Sequence, residues 1–337
     1  MDFKAMRATA RERLKGYCRV CAVCDGRVCA GEVPGMGGAG TGNSFKANYR
    51  ALEAVRLAMR TLHGVTEVDT GVSCFGLDLA SPVHIAPMTG VSYNIGGGMS
   101  EEEFCDIVLA GAAKAGTLAW TGDGADPQMF DSGLQAMVKN GGRGVPIIKP
   151  RAQDEIIARI RRAEEAGAVA VGVDVDGAGL VTMAQFGQPV GPKSVEEIRE
   201  LVASTSLPFI LKGIMTANEA EAAAQAGCAA IVVSNHGGRV LDHTPGVAEV
   251  LPDIAKAVAG KITIFADGAV RSGADVLKLL ALGADSVLVG RPIITGAFGG
   301  GQEGVSALLE KMRIELVQAM LLTGVARTVD ADGSIIA

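Results

Sequence analysis

The sequence predicts an α/β protein, a (β/α)8 TIM barrel with a short N-terminal cysteine-rich extension. From about residue 80 onward, short β-branched runs alternate with helical stretches. Eight such runs fall within about 250 residues, which matches the number and spacing of strands in this barrel. Their strongly apolar character suits strands covered on both faces, as in a parallel sheet with helical crossovers. A doubly wound open sheet is the alternative, but it rarely needs eight consecutive units.

The eight predicted strands are apolar along most of their length and end in polar or glycine residues. In chain order they are PVHIAP (82–87), GTLAWTG (116–122), VPIIKP (145–150), AVAVGVDVD (168–176), PFILKG (208–213), AAIVVSN (229–235), KITIFADG (261–268) and DSVLVGRP (285–292).

Helical stretches follow most of these strands, and one of them has clear signals at both ends. Thr216 and Glu219 have the spacing of a capping box, and Gly227 stands where a glycine would end the same helix. The helical stretches include DEIIARIRRAEEAG (154–167), SVEEIRELVAST (194–205), ANEAEAAAQAG (217–227) and SGADVLKLLALG (272–283).

The N-terminal part of the chain precedes the alternating pattern. It contains four closely spaced cysteines and a glycine-rich run, GEVPGMGGAGTGN (31–43). That run follows no strand, so a turn-rich connector is a better interpretation than a nucleotide-binding loop. We predict two parts, an N-terminal extension over residues 1–45 and the barrel over residues 46–337.

The composition excludes several classes of protein. The 337 residues are 48% hydrophobic and 20% charged, with a formal net charge of −6, so a disordered or fibrous chain is excluded. Both signs of charge are spread along the chain, and nothing suggests a nucleic-acid stripe or a polybasic membrane patch. No apolar run approaches the roughly 18 to 20 residues of a membrane span. The charged N-terminus lacks the apolar core of a secretory signal, and we expect a cytoplasmic protein.

Polar side chains gather where the later strands end, which in a TIM barrel is the catalytic face. Glycines there let a ligand approach the backbone, and helix N-termini suit a phosphate. Arg271 and Arg291 would add charge-assisted bonds to a phosphate after the seventh and eighth strands. The residues at these strand ends include Asp174, Asp176, Lys212, Ser234, His236, Gly237, Arg239, Asp267, Gly268, Arg271, Gly290 and Arg291.

Two segments carry a family resemblance. The stretch from PFILKG to SNHGGRVLDHTPGVAEVLPDI (208–254), followed by FADGAVRSGADVLKLLALGADSVLVGRP (265–292), resembles the FMN-dependent α-hydroxy-acid dehydrogenase/oxidase family, which includes glycolate oxidase, lactate oxidase and flavocytochrome b2. The resemblance extends over about residues 40 to 330. It implies that the barrel binds FMN and that a small-molecule acid is the substrate.

The resemblance also implies roles for individual residues. His236 would be the base that removes a substrate proton, and Asp176 would orient it. Arg239 would grip the substrate carboxylate, and Lys212 would lie beside the flavin N1–C2=O edge. The remaining cofactor contacts are expected at Ala86, Pro87, Met88, Gly122, Lys149, Ser234, Gly237, Asp267, Gly268, Arg271, Gly290 and Arg291, together with Lys212, His236 and Arg239.

The sequence departs from this family at its other substrate contacts. The segment PIIKPRAQ lacks the tyrosine expected after the third strand and has Lys149 near that position. The segment DGAGLVTMAQF (176–186) lacks a second arginine clamp. An N-terminal tyrosine has no clear equivalent, although Tyr17 and Tyr93 exist. These absences count against simple glycolate or lactate oxidation, whereas His236 and Arg239 still indicate an acid or a related carbonyl compound.

The cysteine cluster has a spacing typical of metal binding. Cys18, Cys21, Cys24 and Cys29 form a C-x2-C-x2-C-x4-C run, in a chain expected to be kept reduced. Successive x2 spacings favour a [4Fe–4S] cluster, whereas zinc sites usually combine two separated C-x2-C pairs. Tetrahedral zinc and unmetallated thiols remain the alternatives.

The sequence therefore predicts an FMN-dependent oxidoreductase that oxidises a 2-hydroxy acid or reduces its 2-oxo partner. The flavin N5 would accept the hydride, with an iron–sulfur relay or an electron-carrier protein as the next acceptor. A non-redox FMN isomerase, resembling the type 2 isopentenyl diphosphate isomerases, and a flavin-binding regulatory protein are the alternatives. The family resemblance suggests a homo-oligomer, either a tetramer or an octamer.

Overall fold

A computed structural model describes residues 1–337. Eight parallel strands form a closed barrel in which the last strand pairs with the first. A short antiparallel hairpin, β1 and β2, precedes them. The strands are β1 (Val72–Cys74), β2 (Leu77–Leu79), β3 (Val83–Met88), β4 (Ala119–Gly122), β5 (Gly144–Ile148), β6 (Val171–Asp174), β7 (Phe209–Ile214), β8 (Ala230–Val233), β9 (Thr263–Ala266) and β10 (Ser286–Val289).

Each of the eight predicted strands overlaps one barrel strand, and the TIM-barrel prediction is confirmed. Helices lie outside the barrel between successive strands. They are α1 (Phe3–Arg13), α2 (Asn43–Ala54), α3 (Glu101–Lys114), α4 (Pro127–Lys139), α5 (Gln153–Glu165), α6 (Val181–Gln185), α7 (Val195–Ala203), α8 (Ala217–Gln225), α9 (Val247–Val258), α10 (Gly273–Ala281) and α11 (Arg291–Thr323). None of them combines the length and the apolar character that crossing a membrane requires.

The predicted ends of α8 are found in the structure. The Thr216 side chain caps the helix by accepting a hydrogen bond from the Glu219 amide. Gly227, with φ +91°, follows the last helical turn, as a left-handed glycine at this position does.

Apolar side chains fill the inside of the barrel. Trp120 and Phe265 are almost fully buried there, with ring centroids 5.0 Å apart. The β1–β2 hairpin lies below them, and its Phe75 stacks on Phe265 at 5.8 Å. Because the interior is packed and the hairpin covers the end where the strands begin, only the carboxyl ends of the strands are left to form a ligand site.

The N-terminal extension packs against the barrel. Ala10 and Leu14, in and just after α1, are buried in the main hydrophobic core. Met6 is buried as well, and α1 lies along α11. A Cβ on Gly299 of α11 would lie 2.2 Å from the Met6 carbonyl oxygen, so this helix contact requires glycine. The division into residues 1–45 and 46–337 remains a prediction.

Candidate active site

A cavity opens at the carboxyl ends of the barrel strands. The residues that line it converge from the ends of all eight strands and from the N-terminal loop. Fourteen of the predicted site residues line it: Ala86, Pro87, Met88, Gly122, Lys149, Lys212, His236, Gly237, Arg239, Asp267, Gly268, Arg271, Gly290 and Arg291. Ser234 and Asp176 lie one hydrogen bond away, whereas the four cysteines lie on a second cavity.

His236 is held in a strained turn directly after β8. Its φ of +59° is in the left-handed region, which side chains other than glycine rarely adopt and which often marks a functional position. The Ser234 hydroxyl accepts a hydrogen bond from the His236 amide and donates one to Asp267. These bonds fix the turn and direct the imidazole into the cavity.

The imidazole faces two carboxylates. His236 Nδ1 lies 2.9 Å from Asp176 Oδ1 and 3.3 Å from Asp174 Oδ2. The Nδ1–H group therefore donates to a carboxylate, which is the tautomer that leaves Nε2 free to accept a proton. Asp176, to which the family resemblance assigns this contact, makes the shorter one.

Asp174 is bound mainly by two buried lysines. Its carboxylate accepts hydrogen bonds from Lys149 Nζ at 2.6 Å and from Lys212 Nζ at 2.8 Å. Burial would raise the pKa of Asp174, but His236, Lys149 and Lys212 outweigh burial and hold that pKa well below its ordinary value. Asp174 is therefore ionised and neutralises charge from two lysines brought from different strands.

The pKa values of the other two carboxyl groups, Asp176 and Asp267, are shifted in the opposite direction. Burial and the charge of Asp174 raise the pKa of Asp176, and burial raises the pKa of Asp267. Burial would lower the pKa of Lys212, but Asp174, Asp176 and Asp267 raise it overall. Lys212 is therefore a permanent cation at the floor of the cavity.

Arg239 reaches the cavity from the opposite side of the His236 turn. Its guanidinium donates to the Gly35 carbonyl and, at 2.9 Å, to the Asn94 side-chain oxygen. Burial lowers its pKa to about 10, so the guanidinium is still charged at neutral pH. A half-buried cation with no carboxylate partner is suited to binding an anionic ligand group.

Two glycines after His236 are required by close packing. Both adopt positive φ, and a Cβ on Gly238 would lie 2.3 Å from the Phe45 amide nitrogen. A Cβ on Gly237 would lie 2.8 Å from the Arg291 guanidinium. The glycine pair thus brings the N-terminal segment and Arg291 against the catalytic turn.

The N-terminal loop forms part of the cavity wall. Gly35 and Met36 line the cavity, and Arg291 donates to the Met36 carbonyl at 2.9 Å. The predicted connector is therefore also a component of the site. A contact between segments far apart in the chain leaves no local sequence pattern. The backbone carbonyl groups that make it belong to Gly35 and Met36, whose side chains give no sign of the contact.

Asp242 anchors this loop. Its carboxylate accepts bonds from the Thr41 amide and hydroxyl at 2.6 and 2.8 Å and from the Asn43 amide at 2.8 Å. Burial opposes the effect, but hydrogen bonds from Thr41, His243 and Asn43 hold the pKa of Asp242 well below its usual value. The start of α2 is thereby fixed to the loop after β8.

Arg151 occupies the region where the family tyrosine is missing. It is buried and forms an ion pair with Asp123, Nε to Oδ2, at 2.9 Å. Its Nη1 also donates to Gln188 at 2.8 Å, which ties the end of β5 to the segment after α6. The sequence contained Arg151 in PIIKPRAQ but gave no sign of its partner 28 residues earlier.

The phosphate end of the cavity contains Arg271, Arg291 and the N-terminus of α11. The Gly290 α-carbon borders open space, since a Cβ there would contact only Met88 at 3.5 Å and Ala86 at 3.9 Å. Arg271 Nε and Asp267 Oδ1 are buried without a hydrogen-bond partner. Unpaired donors and acceptors, a helix N-terminus and an apolar wall fit a ligand with a phosphate, a polyol chain and a flat ring, as FMN has.

The four N-terminal cysteines lie together beside this region. All are free and half-buried, and all line a cavity of about 450 Å³. No three of their sulfur atoms lie within 4.8 Å of one another, since the only group that close is Asp174, Asp176 and His236. The other cysteines, Cys74, Cys105 and Cys228, are buried.

Comparison with known proteins identifies the family. The family described as FMN-dependent dehydrogenase matches residues 35–185 and 181–337. The chain belongs to this family, which confirms the predicted resemblance, enzyme class and FMN cofactor. The mandelate oxidase structure with benzoyl-formic acid superposes with a TM-score of 0.79 and 31% identity, covering 97% of this chain and 96% of that one.

Curated relatives resemble the chain over most of its length. The 4-hydroxymandelate oxidase of Amycolatopsis orientalis is 35% identical over 326 residues, covering 86% of this chain and 88% of the relative. The 2-hydroxyacid oxidase of Dictyostelium discoideum is 32% identical, covering 86% and 81%. Glycolate oxidase of Spinacia oleracea is 30% identical, covering 82% and 83%. These relatives favour the oxidoreductase interpretation over the isomerase and regulatory alternatives.

Proposed function

We propose that this protein oxidises a 2-hydroxy acid to the 2-oxo acid, with FMN bound at the barrel mouth. The observation that carries the proposal is the arrangement of His236, Asp176 and Arg239. A base held by a carboxylate and a half-buried guanidinium face the same cavity. A hydroxy acid offers that cavity a proton to remove and a carboxylate to bind.

His236 Nε2 is the proposed proton acceptor. The Nδ1–H bond to Asp176 fixes the orientation of the ring, and the ionised Asp174 at 3.3 Å stabilises the imidazolium that forms. Arg239 orients the substrate through its carboxylate. When bound, FMN supplies the hydride acceptor, N5.

The cofactor is proposed to lie across the lining residues predicted from the sequence. Lys212 places a positive charge where a reduced flavin ring carries negative charge, and Lys149 lies beside it on the same Asp174 carboxylate. Arg271, Arg291 and the positive N-terminal end of α11 would hold the phosphate. The ring packs against Ala86, Pro87, Met88 and Gly122.

An apolar side group is the substrate feature best matched by the cavity. Leu180 and Met183 line it, and Tyr93 packs against Phe186 with centroids 5.5 Å apart. The relatives named as mandelate and 4-hydroxymandelate oxidases support the same choice. We therefore propose a 2-hydroxy acid with an aromatic or large aliphatic side group.

The test is anaerobic bleaching of the flavin absorbance by a series of 2-hydroxy acids. We expect (S)-mandelate to reduce the flavin faster than lactate, and lactate faster than glycolate. Each buried methylene is worth about 0.8 kcal/mol, so the span should exceed tenfold. Bound FMN that none of the three acids bleaches would contradict the function, and fastest bleaching by glycolate would contradict the apolar subsite.

We further infer that an electron-carrier protein receives the electrons, that the chain forms a homo-oligomer and that it acts in the cytoplasm. The cysteine cluster stays a predicted metal site for iron–sulfur, with zinc and unmetallated thiols as the alternatives. Its position next to the phosphate arginines is the support for a role connected with the flavin.

A further inference from the structure

The cavity lined by the cysteines is a separate feature from the substrate cavity. It lies between α1, the loop of residues 17–30, the end of α2 and the start of α11. The two cavities share a wall made of Met36, Ala269, Arg271 and Arg291. Oxidation of a hydroxy acid needs no second cavity of this kind.

The cysteine loop is held by neighbouring elements rather than by its own backbone. No amide of residues 19–30 donates to a backbone carbonyl. Arg7 of α1 donates to the carbonyls of Val20 and Cys21 at 3.0 and 2.7 Å. The Val20 amide donates to Cys18 Sγ at 3.4 Å. Four thiols are thus presented by a loop whose amides are available to sulfur atoms.

The surroundings suit an anionic group. Arg271 donates to Cys24 Sγ at 3.5 Å and to the Cys24 carbonyl at 3.3 Å, and Arg291 lies on the same wall. Lys278 and Lys311 line the cavity farther out, among apolar residues such as Val20 and Leu52. Four thiolates gathered by a metal need this compensation, and hydrogen bonds to sulfur are a feature of iron–sulfur sites.

The sulfur spacing favours an iron–sulfur cluster over a single zinc ion. Zinc–sulfur bonds of 2.3 Å in a tetrahedron place the sulfurs about 3.8 Å apart. The cysteine sulfurs are spread more widely around a cavity of about 450 Å³. In a cubic cluster each thiolate binds a different iron, so the thiolates stand farther apart than around one ion.

We propose that Cys18, Cys21, Cys24 and Cys29 bind one [4Fe–4S] cluster in this cavity. Arg271 and Arg291 then separate the cluster from the flavin site and contribute to both. Oxidation of one hydroxy acid releases two electrons and two protons. The cluster takes one electron at a time from the flavin side and passes each to a one-electron carrier protein. This relay rests on the proposed function, whereas the binding site itself does not.

The site is tested by metal analysis of protein purified without oxygen and reconstituted with ferrous iron and sulfide. We expect about four irons and four sulfides per chain, and a broad absorbance beneath the flavin bands. In the Cys21→Ala/Cys24→Ala variant, iron should fall at least fivefold while FMN content stays unchanged. Cys228→Ala, at the opposite end of β8, is the matched control and should retain the iron.

Three outcomes would overturn the site: wild-type protein that holds FMN but no iron, one zinc per chain with sulfide absent, or full iron content in the double variant. If the double variant fails to fold, Arg7→Gln provides a second test. Because it loosens the loop and leaves every thiol in place, it should lower iron content with FMN retained. Unchanged iron content in that variant would count against the loop geometry.

The relay is tested separately by electron paramagnetic resonance after anaerobic addition of (S)-mandelate. A reduced-cluster signal should appear in the wild type as the flavin bleaches, and it should be missing from the double variant. Bleaching without a signal in iron-loaded wild type would overturn the relay but not the site. If mandelate bleaches nothing while the iron is present, the proposed function fails and the metal site stands.

Discussion

At the scale of single residues, the site depends on how charge is distributed around His236. Two carboxylates face its Nδ1, but only Asp174 is shared with lysines. The lysines reduce the negative charge that Asp174 presents, whereas the His236 contact of Asp176 is its only hydrogen bond and leaves Oδ2 unpartnered. His236 therefore has one close partner and one more distant stabilising charge.

Replacing His236 by alanine removes the proposed base. Flavin bleaching by the best hydroxy acid should slow by about 10² to 10⁴-fold, the usual contribution of a positioned base. FMN content should be unchanged, and stopped-flow absorbance measures the rate. His63→Ala, an exposed histidine, is the control. Bleaching at the wild-type rate in His236→Ala would remove the assigned role.

The buried lysine–aspartate contacts should be strongly coupled. Asp174→Asn leaves Lys149 and Lys212 without their shared carboxylate and should lower the free energy of unfolding by about 3 to 5 kcal/mol. Lys149→Met should lower the free energy of unfolding by less, because Asp174 keeps its contacts with Lys212 and His236. Urea unfolding of both single variants and the double variant gives the coupling, expected at about 0.5 to 3 kcal/mol. Additive effects would show that the 2.6 Å contact carries no net energy.

At the scale of elements, the loop of residues 31–42 decides how the mouth is closed. Asp242 fixes its end, and Arg239 and Arg291 bind its carbonyl groups. The arginines assigned to substrate and phosphate are therefore positioned by backbone from the N-terminal segment. A change in this loop should alter ligand binding without touching the barrel strands.

Asp242→Asn tests that anchor through its pH dependence. Because the folded-state pKa of Asp242 is lowered, its contribution to stability is present above the unfolded-state pKa of about 3.9 and is lost as pH falls. The variant should be less stable by about 1 kcal/mol at pH 7, a typical value for a lost cap. Urea unfolding should show a constant difference between pH 7 and 5 that shrinks below about pH 4. A difference that grows on acidification would contradict the assignment.

Much of this arrangement follows from local patterns, and some of it does not. Polar residues at the carboxyl end of a strand, such as Lys212, or directly after one, such as Asp267, lie at the mouth because all barrel strands run in one direction. The sharing of Asp174 by Lys149 and Lys212 depends on the register between neighbouring strands, which periodicity does not encode. The wall formed by Gly35 and Met36 depends on contacts about 200 residues apart in the chain.

At the scale of the whole molecule, the N-terminal extension and the barrel share one core. Met6 is buried against α11, and the cysteine loop is held from both sides. Elements so connected should unfold together in a single cooperative transition. The only tryptophan, Trp120, lies inside the barrel, so its fluorescence reports on unfolding of the barrel and not directly on the N-terminal extension.

Met6→Ala should therefore destabilise the barrel itself. A buried methionine replaced by alanine costs about 2 to 5 kcal/mol, and Trp120 fluorescence and circular dichroism should report the same shift in the urea midpoint. Met59→Ala, at an exposed methionine, should leave the midpoint unchanged. A fluorescence midpoint that does not move in Met6→Ala would show that the extension unfolds on its own.

The wall between the two cavities also has a consequence for how the protein is synthesised. Cys24 and Arg271 are 247 residues apart, so the ribosome produces the thiols about 12 to 50 s before the guanidinium that packs on them. During that interval the cysteine loop has no completed cavity and its thiols are open to oxidants. Any group that the thiols bind must therefore bind either after the chain is complete or while the rest of the chain is still being synthesised. The fraction of purified protein whose four thiols are still reduced should therefore depend more on the redox conditions during translation than on those during storage.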